Sequence, residues 1–179
     1  MRKLIFLFIA FFALSAADVV ERPLLQQKDD TQAKIKAVYI YGFTKYFEWT
    51  NNKDGNFTIT VLGENVNLLN ELGNTVRNKS VGSQKIDLKN HQTISEIDQA
   101  SILYITPDKS HLLTEALAKF KGKSVLIITE KQGLAKVGAT INFIVEENKQ
   151  KFELNKLAAA KAGLNVGSGI EKLAASVIN

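Results

Sequence analysis

Few residues of this sequence have types and spacings that could support catalysis. His91 and His111 are the only histidines, and neither has a partner at the spacing of a catalytic triad or of a metal site. A catalytic zinc site generally needs several His or carboxylate ligands, and the sequence contains no HExxH motif, no GxSxG elbow and no P-loop. We therefore expect no catalytic residue, no metal and no cofactor, and we predict that the protein is not an enzyme.

Three polar residues near the end of the chain could still carry chemistry. An enzyme of unrecognised type would be supported by a deep pocket holding two carboxylates, or by Asn142, Glu153 and Asn155 converging with a histidine. In a strand, Glu153 and Asn155 share one face, and Asn155 directly precedes a helical stretch. We predict that Asn155 caps that helix rather than taking part in chemistry.

The run Gly167-Ser168-Gly169 invites comparison with a dinucleotide-binding fingerprint. That interpretation fails because position 172 is Lys and because no strand follows the predicted helix. Capping of a last helix by Ser168, with Glu171 completing a capping box three residues later, is the favoured explanation. Anion binding at this turn stays open as the alternative.

Polar residues also follow two predicted strands at the points where the chain leaves the sheet. Thr106, Pro107 and Asp108 come after one apolar run, and Gly63 and Glu64 come after another. In open α/β sheets, ligands usually bind in the crevice outside the carboxyl ends of the strands. We therefore predict that Gly63, Glu64, Thr106 and Asp108 lie at the rim of a ligand pocket, with plain turns as the alternative.

The elements that would position these residues alternate between strands and helices. Continuous apolar runs, such as Ile102 to Ile105, are typical of strands covered on both faces in a parallel sheet. Two apolar runs, Ile141 to Val145 and Phe152 to Leu154, flank a polar turn and predict an antiparallel hairpin. The fold class is therefore predicted to be α/β, a three-layer sandwich of the Rossmann or flavodoxin-like kind, with a mainly parallel sheet and an appended antiparallel hairpin.

The expected boundaries follow from hydrophobic periodicity and β-branched enrichment. Helices are predicted from Thr31 to near Trp49 and at Asn65 to Val76, Ser110 to Phe120, Lys156 to Ala162 and Gly169 to Ile178. Strands are predicted at Phe57 to Leu62, Ile86 to Leu88, Ile102 to Ile105, Val125 to Ile128, Ile141 to Val145 and Phe152 to Leu154.

The start of the chain has the layout of a secretion signal. Arg2 and Lys3 precede an unbroken apolar stretch from Leu4 to Leu14, and the small residues at 15–17 follow. This order predicts a signal peptide over residues 1–17, cleaved after Ala17 or, as the near alternative, after Ala16. The apolar stretch is about half of the roughly 20 residues that a membrane-spanning helix needs, so we do not expect a membrane anchor.

The rest of the chain is expected to be one exported domain. Residues 18–30 are polar and lack periodicity, so they are predicted to be a leader before a single domain over residues 31–179. The sequence contains no cysteine, which excludes disulfides and the lipid-bearing cysteine of a lipoprotein. The formal net charge is +5, but the lysines are scattered, which is a poor pattern for nucleic-acid binding. We expect a free exported protein with no nucleic-acid partner.

Several segments together resemble the YfiR/HmsC-like family of bacterial periplasmic regulators. The opening helix, KIKAVYIYGFTKYFEW at 34–49, has a Lys-Ala followed by aromatic residues and a closing Glu-Trp. The Gly-Leu-Ala loop at 133–135, the Ile-Asn-Phe strand at 141–143 and the Phe-Glu-Leu-Asn block at 152–155 follow in the same order. The resemblance covers roughly Ala33 to Ala175.

The resemblance implies a periplasmic α/β domain, often dimeric, that restrains an inner-membrane signalling protein. The target is typically a diguanylate cyclase, which makes cyclic-di-GMP, and it is bound through its periplasmic region. A homodimer and one such membrane protein are therefore the expected partners. Well-known family members carry disulfides, and this chain has none, so redox control through such bonds cannot operate here.

A contact surface for the partner is expected on the first helix and the hairpin, because the aromatic residues from Tyr39 to Trp49 exceed what one buried stripe uses. Trp and Tyr are favoured interface anchors. Tyr41, Lys45, Glu48 and Trp49 are the candidate partner-binding residues, with core or solvated roles as the alternatives. A second hypothesis is a periplasmic small-molecule sensor whose ligand lies in the strand-end crevice.

Overall fold

The computed structural model describes residues 18–50 and 55–179, with side chains described from Asp29 onward. The predicted signal peptide lies outside the described residues. The helices of the described part are α1 (Asp18–Phe43), α2 (Val66–Val76), α3 (Leu113–Lys119), α4 (Leu134–Val137) and α5 (Lys156–Ala162), with 3-10 helices at Pro107–Leu112 and Ile170–Lys172. The strands are β1 (Phe47–Trp49), β2 (Phe57–Leu62), β3 (Ser80–Val81), β4 (Gln84–His91), β5 (Ile102–Ile105), β6 (Leu126–Thr129), β7 (Ile141–Glu146), β8 (Lys149–Asn155), β9 (Leu164–Val166) and β10 (Ser176–Ile178).

Eight of these strands form one sheet in the order β10-β8-β7-β6-β5-β2-β4-β3. The neighbours from β4 through β2, β5 and β6 to β7 are parallel, and β7 and β8 form the antiparallel hairpin. Strands β1 and β9 pair separately as an antiparallel ribbon. The predicted fold class is confirmed, because a mainly parallel sheet is flanked by helices as in a three-layer sandwich.

The two faces of the sheet carry separate hydrophobic cores. Successive side chains of a strand point to opposite faces, so Tyr104 of β5 belongs to the first core whereas Leu103 and Ile105 belong to the second. Helices α1 and α2 cover the first face, with Ala37, Ile40 and Leu72 among their buried residues, while α3 covers the second. Burial on both faces explains why the central strands are continuous apolar runs.

The first helix differs from its predicted boundaries at both ends. It begins at Asp18, so the segment 18–30 is helical rather than the irregular leader that its composition predicted. It ends at Phe43 rather than near Trp49, and the chain turns there, with the Thr44 hydroxyl donating to the Tyr41 carbonyl at 2.6 Å. Strand β1 follows because Phe47 to Trp49 pair with β9. The paired residues are more than a hundred positions apart in the sequence, so no local pattern predicts this contact.

The predicted last helix, Gly169 to Ile178, is also wrong. The chain forms a 3-10 helix at Ile170–Lys172 and then β10, which adds a parallel edge strand beside β8. Ser168 does not cap a helix, because Gly169 occupies the cap position with a left-handed φ of +99° and no side chain caps the turn. Pairing with the sheet edge overrides the helical propensity of this Ala-rich segment.

The predicted N-cap of α5 is confirmed. The Asn155 side-chain oxygen accepts a hydrogen bond from the Ala158 backbone N–H at 2.8 Å, and its amide nitrogen donates to the Ala135 carbonyl at 2.7 Å. Because Asn155 is buried, both bonds are made in the protein interior. Asn155 therefore starts α5 and ties it to α4, which is a structural role.

Candidate functional site

The strand order reverses direction between β2 and β5. The chain leaves β2 through α2 towards β4 on one side, and it leaves β5 through α3 towards β6 on the other side. Such a reversal opens a crevice at the carboxyl ends of the strands. Gly63 follows β2 and Thr106 follows β5, so both residues lie at this reversal, which we call the switch point.

Gly63 and Thr106 fill the space between their two loops instead of opening it. Gly63 has a φ of +109°, and a Cβ atom placed there would lie 1.8 Å from the Thr106 hydroxyl oxygen. The Thr106 backbone N–H and its hydroxyl both donate to the Leu62 carbonyl, at 3.0 and 2.8 Å. Glu64 and Asp108 are exposed beside this closed contact. The structure thus brings the predicted rim residues together at a switch point that is closed by Thr106.

A partly buried ion pair lies at the same end of the sheet. Glu130 directly follows β6, and its carboxylate pairs with the ammonium group of Lys36 on α1. The two side chains are only 12% and 11% exposed, so water screens the pair weakly. Lys36 reaches Glu130 because it lies on the buried side of α1, between Ala33 and Ala37.

Tyr104 of β5 lies beneath this pair. Its side chain is fully buried, and among the described residues its hydroxyl has no hydrogen bond of ordinary geometry, although it lies beside the Glu130 carboxylate. Burial, followed by the negative charge of Glu130, raises the pKa of Tyr104 well above its ordinary value. Tyr104 therefore stays protonated near neutral pH and offers a buried hydroxyl beside a carboxylate.

Two cavities adjoin the ion pair. One of about 290 Å³ lies between α1 and the start of α2, and its lining includes Asp29, Gln32 and Asn67. The other, of about 210 Å³, lies between α1 and the hairpin, where Gln150 contributes to its wall. Lys36 and Glu130 line both cavities. We call this ensemble the strand-end cavities.

Sequence reasoning predicted a ligand crevice at the strand ends but did not identify Lys36 and Glu130. A signal for Glu130 existed, because it comes two residues after a predicted strand, just as Glu64 does. Lys36 carried a weaker signal, as the charged residue among the apolar positions 33, 37 and 40 of the first helix. Their contact joins residues that are far apart in the chain, so it required the fold.

The candidate partner-binding residues lie at the C-terminal end of α1, in the turn that follows it and in the β1–β9 ribbon. Tyr41 is half-buried, and the Lys79 ammonium lies 4.3 Å from the centre of its ring. Lys45 and Glu48 are exposed, and the Asn165 amide donates to the Glu48 carboxylate at 3.5 Å. These three side chains are accessible to a partner.

Trp49 is held more firmly than the other three. Its indole N–H donates to the Ser101 carbonyl at 2.8 Å, and its ring meets the Phe57 ring edge-to-face with centroids 4.8 Å apart. An edge-to-face aromatic pair of this kind adds to the stability of a core. The Trp49 side chain therefore fastens the ribbon to the main sheet.

The polar residues considered for catalysis do not converge with a histidine. The Thr129 hydroxyl donates to the Asn142 side-chain oxygen at 2.7 Å, and the Asn142 amide donates to the Glu153 carboxylate at 2.8 Å. The Nδ1 atom of His91 instead lies 3.7 Å from the Oε2 atom of Glu96. Within residues 18–50 and 55–179, no group of three or more His, Asp or Glu side chains is arranged to hold a metal ion.

The fold is a mainly parallel α/β sandwich, and Asn142 and Glu153 are hydrogen-bonded to each other rather than to a histidine. The family comparison assigns this fold to a known class: the YfiR/HmsC-like family model matches residues 33–175. The chain belongs to this family, whose members are periplasmic regulators of cyclic-di-GMP signalling. A search of curated proteins finds no significant match. In the described residues, no helix has both the length and the apolarity needed to cross a bilayer.

Proposed function

We propose that this protein is a periplasmic regulator that restrains an inner-membrane signalling protein, typically a diguanylate cyclase, by binding its periplasmic domain. The observation that carries the proposal is the family match over residues 33–175, which spans nearly the whole sheet and both of its helical layers. The family is regulatory rather than catalytic. The predicted signal peptide would bring the protein to the compartment where such a domain is accessible.

The exposed side of α1 supports a contact surface for this partner. Ile35 and Val38 are large apolar residues exposed to solvent, and Val38 is 57% exposed. Residues three apart are neighbours on a helix surface, so Ile35, Val38 and Tyr41 lie along one side, and Lys45 and Glu48 follow just beyond its end. An apolar strip that ends in charged residues matches the usual core and rim of a protein interface. We call this strip and the two charged residues the α1 surface.

The experiment that tests the proposal combines deletion with a surface variant. Deleting the gene is expected to raise cellular cyclic-di-GMP severalfold, because a restrained cyclase would be released. Wild-type protein should restore the level, whereas Val38→Glu should not, because a charge in the apolar strip opposes docking. Val137→Glu is the matched control, since Val137 is 56% exposed and lies elsewhere on the molecule.

One result would overturn the regulator proposal: an unchanged cyclic-di-GMP level in the deletion strain together with no membrane protein cross-linked to the exported chain. Full complementation by Val38→Glu would instead overturn the α1 surface as the contact site and leave the regulatory role in place. Folding of each variant is checked by its thermal midpoint.

A second candidate function is favoured by the strand-end cavities. A regulator that senses a small polar molecule could bind it beside Lys36 and Glu130, which line both cavities. Thermal-shift measurements with nucleotides, amino acids and peptidoglycan fragments test this role. Asn67→Ala, which alters the cavity lining, should abolish a genuine shift, whereas Asn70→Ala on the exposed side of α2 should not. A well-folded protein that no compound stabilises would contradict the sensor role.

A further inference from the structure

A third concave site lies far from the α1 surface, on the second face of the sheet. It is a groove of about 450 Å³ with walls from α3, α4 and α5. Its floor includes Phe120, Val125 and Ile127, which are almost fully buried and belong to the second core. We call it the lysine groove, for the residues described next.

The groove is apolar inside and positive at its rim. Val137 and Leu157, which are 56% and 51% exposed, border it with their side chains. Lys121, Lys136 and Lys161 are exposed on its rim, and none of the described residues that line it is acidic. Within the described chain, none of the three ammonium groups forms an ion pair, although four other lysines do so.

The size of the groove favours a small ligand over a protein segment. Ligand pockets typically measure about 300 to 1,000 Å³, and the groove falls within this range. A stable protein contact needs about 800 Å² from each partner, which implies a broad surface rather than one narrow concavity. An apolar floor with a positive rim fits a ligand that has a hydrocarbon part and an anionic head.

We propose that the lysine groove binds a single-chain anionic amphiphile, of the fatty-acid type, with its chain over Phe120 and Ile127 and its carboxylate among the three lysines. Burial of the chain supplies most of the affinity, because apolar area leaves water. The lysines supply selectivity for an anionic head, since no carboxylate in the lining competes for them. The site is independent of the regulator proposal, because none of its lining residues belongs to the α1 surface.

The test uses the purified protein and monomeric dodecanoate, kept below its micelle concentration and titrated by calorimetry. We expect saturable binding of one dodecanoate per chain. Dodecyltrimethylammonium has the same chain length and the opposite charge, so we expect it to bind at least about tenfold more weakly. Anionic vesicles containing phosphatidylglycerol form a separate arm, and we expect no comparable binding to them.

Variants locate the site and separate binding from folding. Val137→Glu and Leu157→Glu each place a carboxylate beside the groove, and dodecanoate binding should weaken at least about tenfold. Leu173→Glu is the matched control for Leu157→Glu, because both residues are 51% exposed and Leu173 does not line the groove. Val38→Glu should bind dodecanoate normally.

The positions of two of the groove lysines also have a structural explanation, and the dodecanoate titration can separate it from ligand binding. Lys136 and Lys161 lie in the last turns of α4 and α5, where a positive charge also favours the helix dipole. Lys136→Gln/Lys161→Gln should weaken dodecanoate binding severalfold while binding of dodecyltrimethylammonium does not weaken. Absence of saturable dodecanoate binding, equal binding of both head groups, unchanged binding by Val137→Glu, or binding to vesicles alone would each overturn the proposal.

Discussion

The two faces of the central sheet are covered by helices of very different length. On the first face, α1 and α2 have 26 and 11 residues, whereas on the second face α3 and α4 have 7 and 4. At 1.5 Å per residue, α1 is about 39 Å long and α4 only about 6 Å. The long helices cover the charged pair except at the strand-end cavities, and the short ones leave a groove above the second core.

The charges on the two faces are arranged differently as well. Lys36 and Glu130 neutralise each other where little water reaches them, so they contribute mainly to the fixed packing of α1 on the sheet. The lysines of the groove have no acidic partner among the described residues and remain free to meet a ligand. This difference predicts that substitutions at the first site reduce stability and that substitutions at the second reduce binding.

The largest effect is expected for Lys36→Met, which keeps much of the side-chain length and removes the charge. Glu130 would then be buried without a counter-charge, and the free energy of unfolding should fall by about 3 kcal/mol. Urea unfolding followed by circular dichroism measures the change. Lys36→Met/Glu130→Leu should regain at least half of the loss, because no unpaired charge remains. A single variant as stable as the wild type would show that solvent screens the pair.

The next largest effect is expected for Gly63→Ala at the switch point. The new Cβ atom would meet the Thr106 hydroxyl at a backbone φ of +109°, and we expect a loss of about 2 to 3 kcal/mol. Gly133→Ala is the control, since Gly133 also has a positive φ of +84° but has nothing within 4 Å of the added atom. It should cost about 1 kcal/mol. Equal losses of unfolding free energy in both variants would mean that the contact between the new Cβ atom and Thr106 adds no destabilisation.

The sequence predicted those elements whose signal is local. The apolar run Ile102 to Ile105 matches β5 residue for residue, and Asn155 caps α5 as expected. The failures lie where tertiary pairing decides the structure. Phe43 and Phe47 are four residues apart, as on one helix face, but the chain turns between them because Phe47 pairs with Val166.

The candidate sites follow the same division between local and non-local signals. Local patterns predicted that Gly63 and Thr106 follow strands, but the reversal that makes their position a switch point depends on the strand order. The Lys36–Glu130 pair joins two elements that only the fold brings together. The lysine groove draws residues from α3, α4 and α5, and it exists because α4 is a single turn, a length that no sequence pattern specified.

A smaller effect is expected for Tyr104→Phe, which removes a hydroxyl that has no hydrogen bond of ordinary geometry among the described residues. Near neutral pH we expect stability to stay the same or to rise by about 1 kcal/mol, because an unsatisfied buried group is removed. A clear drop in stability at neutral pH would show that the hydroxyl is hydrogen-bonded in solution.

The same variant should change the response to alkaline pH. Burial, followed by the charge of Glu130, raises the folded-state pKa of Tyr104, so the unfolded chain releases the proton first. The contribution of Tyr104 is therefore fully present below about pH 10 and is lost as the pH rises above it. Urea unfolding at pH 8 and pH 11 should show a smaller alkaline loss in Tyr104→Phe than in the wild type.

The smallest effects on stability are expected on the two proposed binding surfaces. Val38→Glu and Val137→Glu change side chains that are 57% and 56% exposed, so each should alter the free energy of unfolding by no more than about 0.5 kcal/mol. The two variants should affect different ligands. Val38→Glu should impair only partner binding, and Val137→Glu should impair only dodecanoate binding. A destabilisation above about 1 kcal/mol in Val137→Glu alone would mean that Val137 seals the second core. The groove would then close in solution, and the short helices would cover their face as completely as the long ones do.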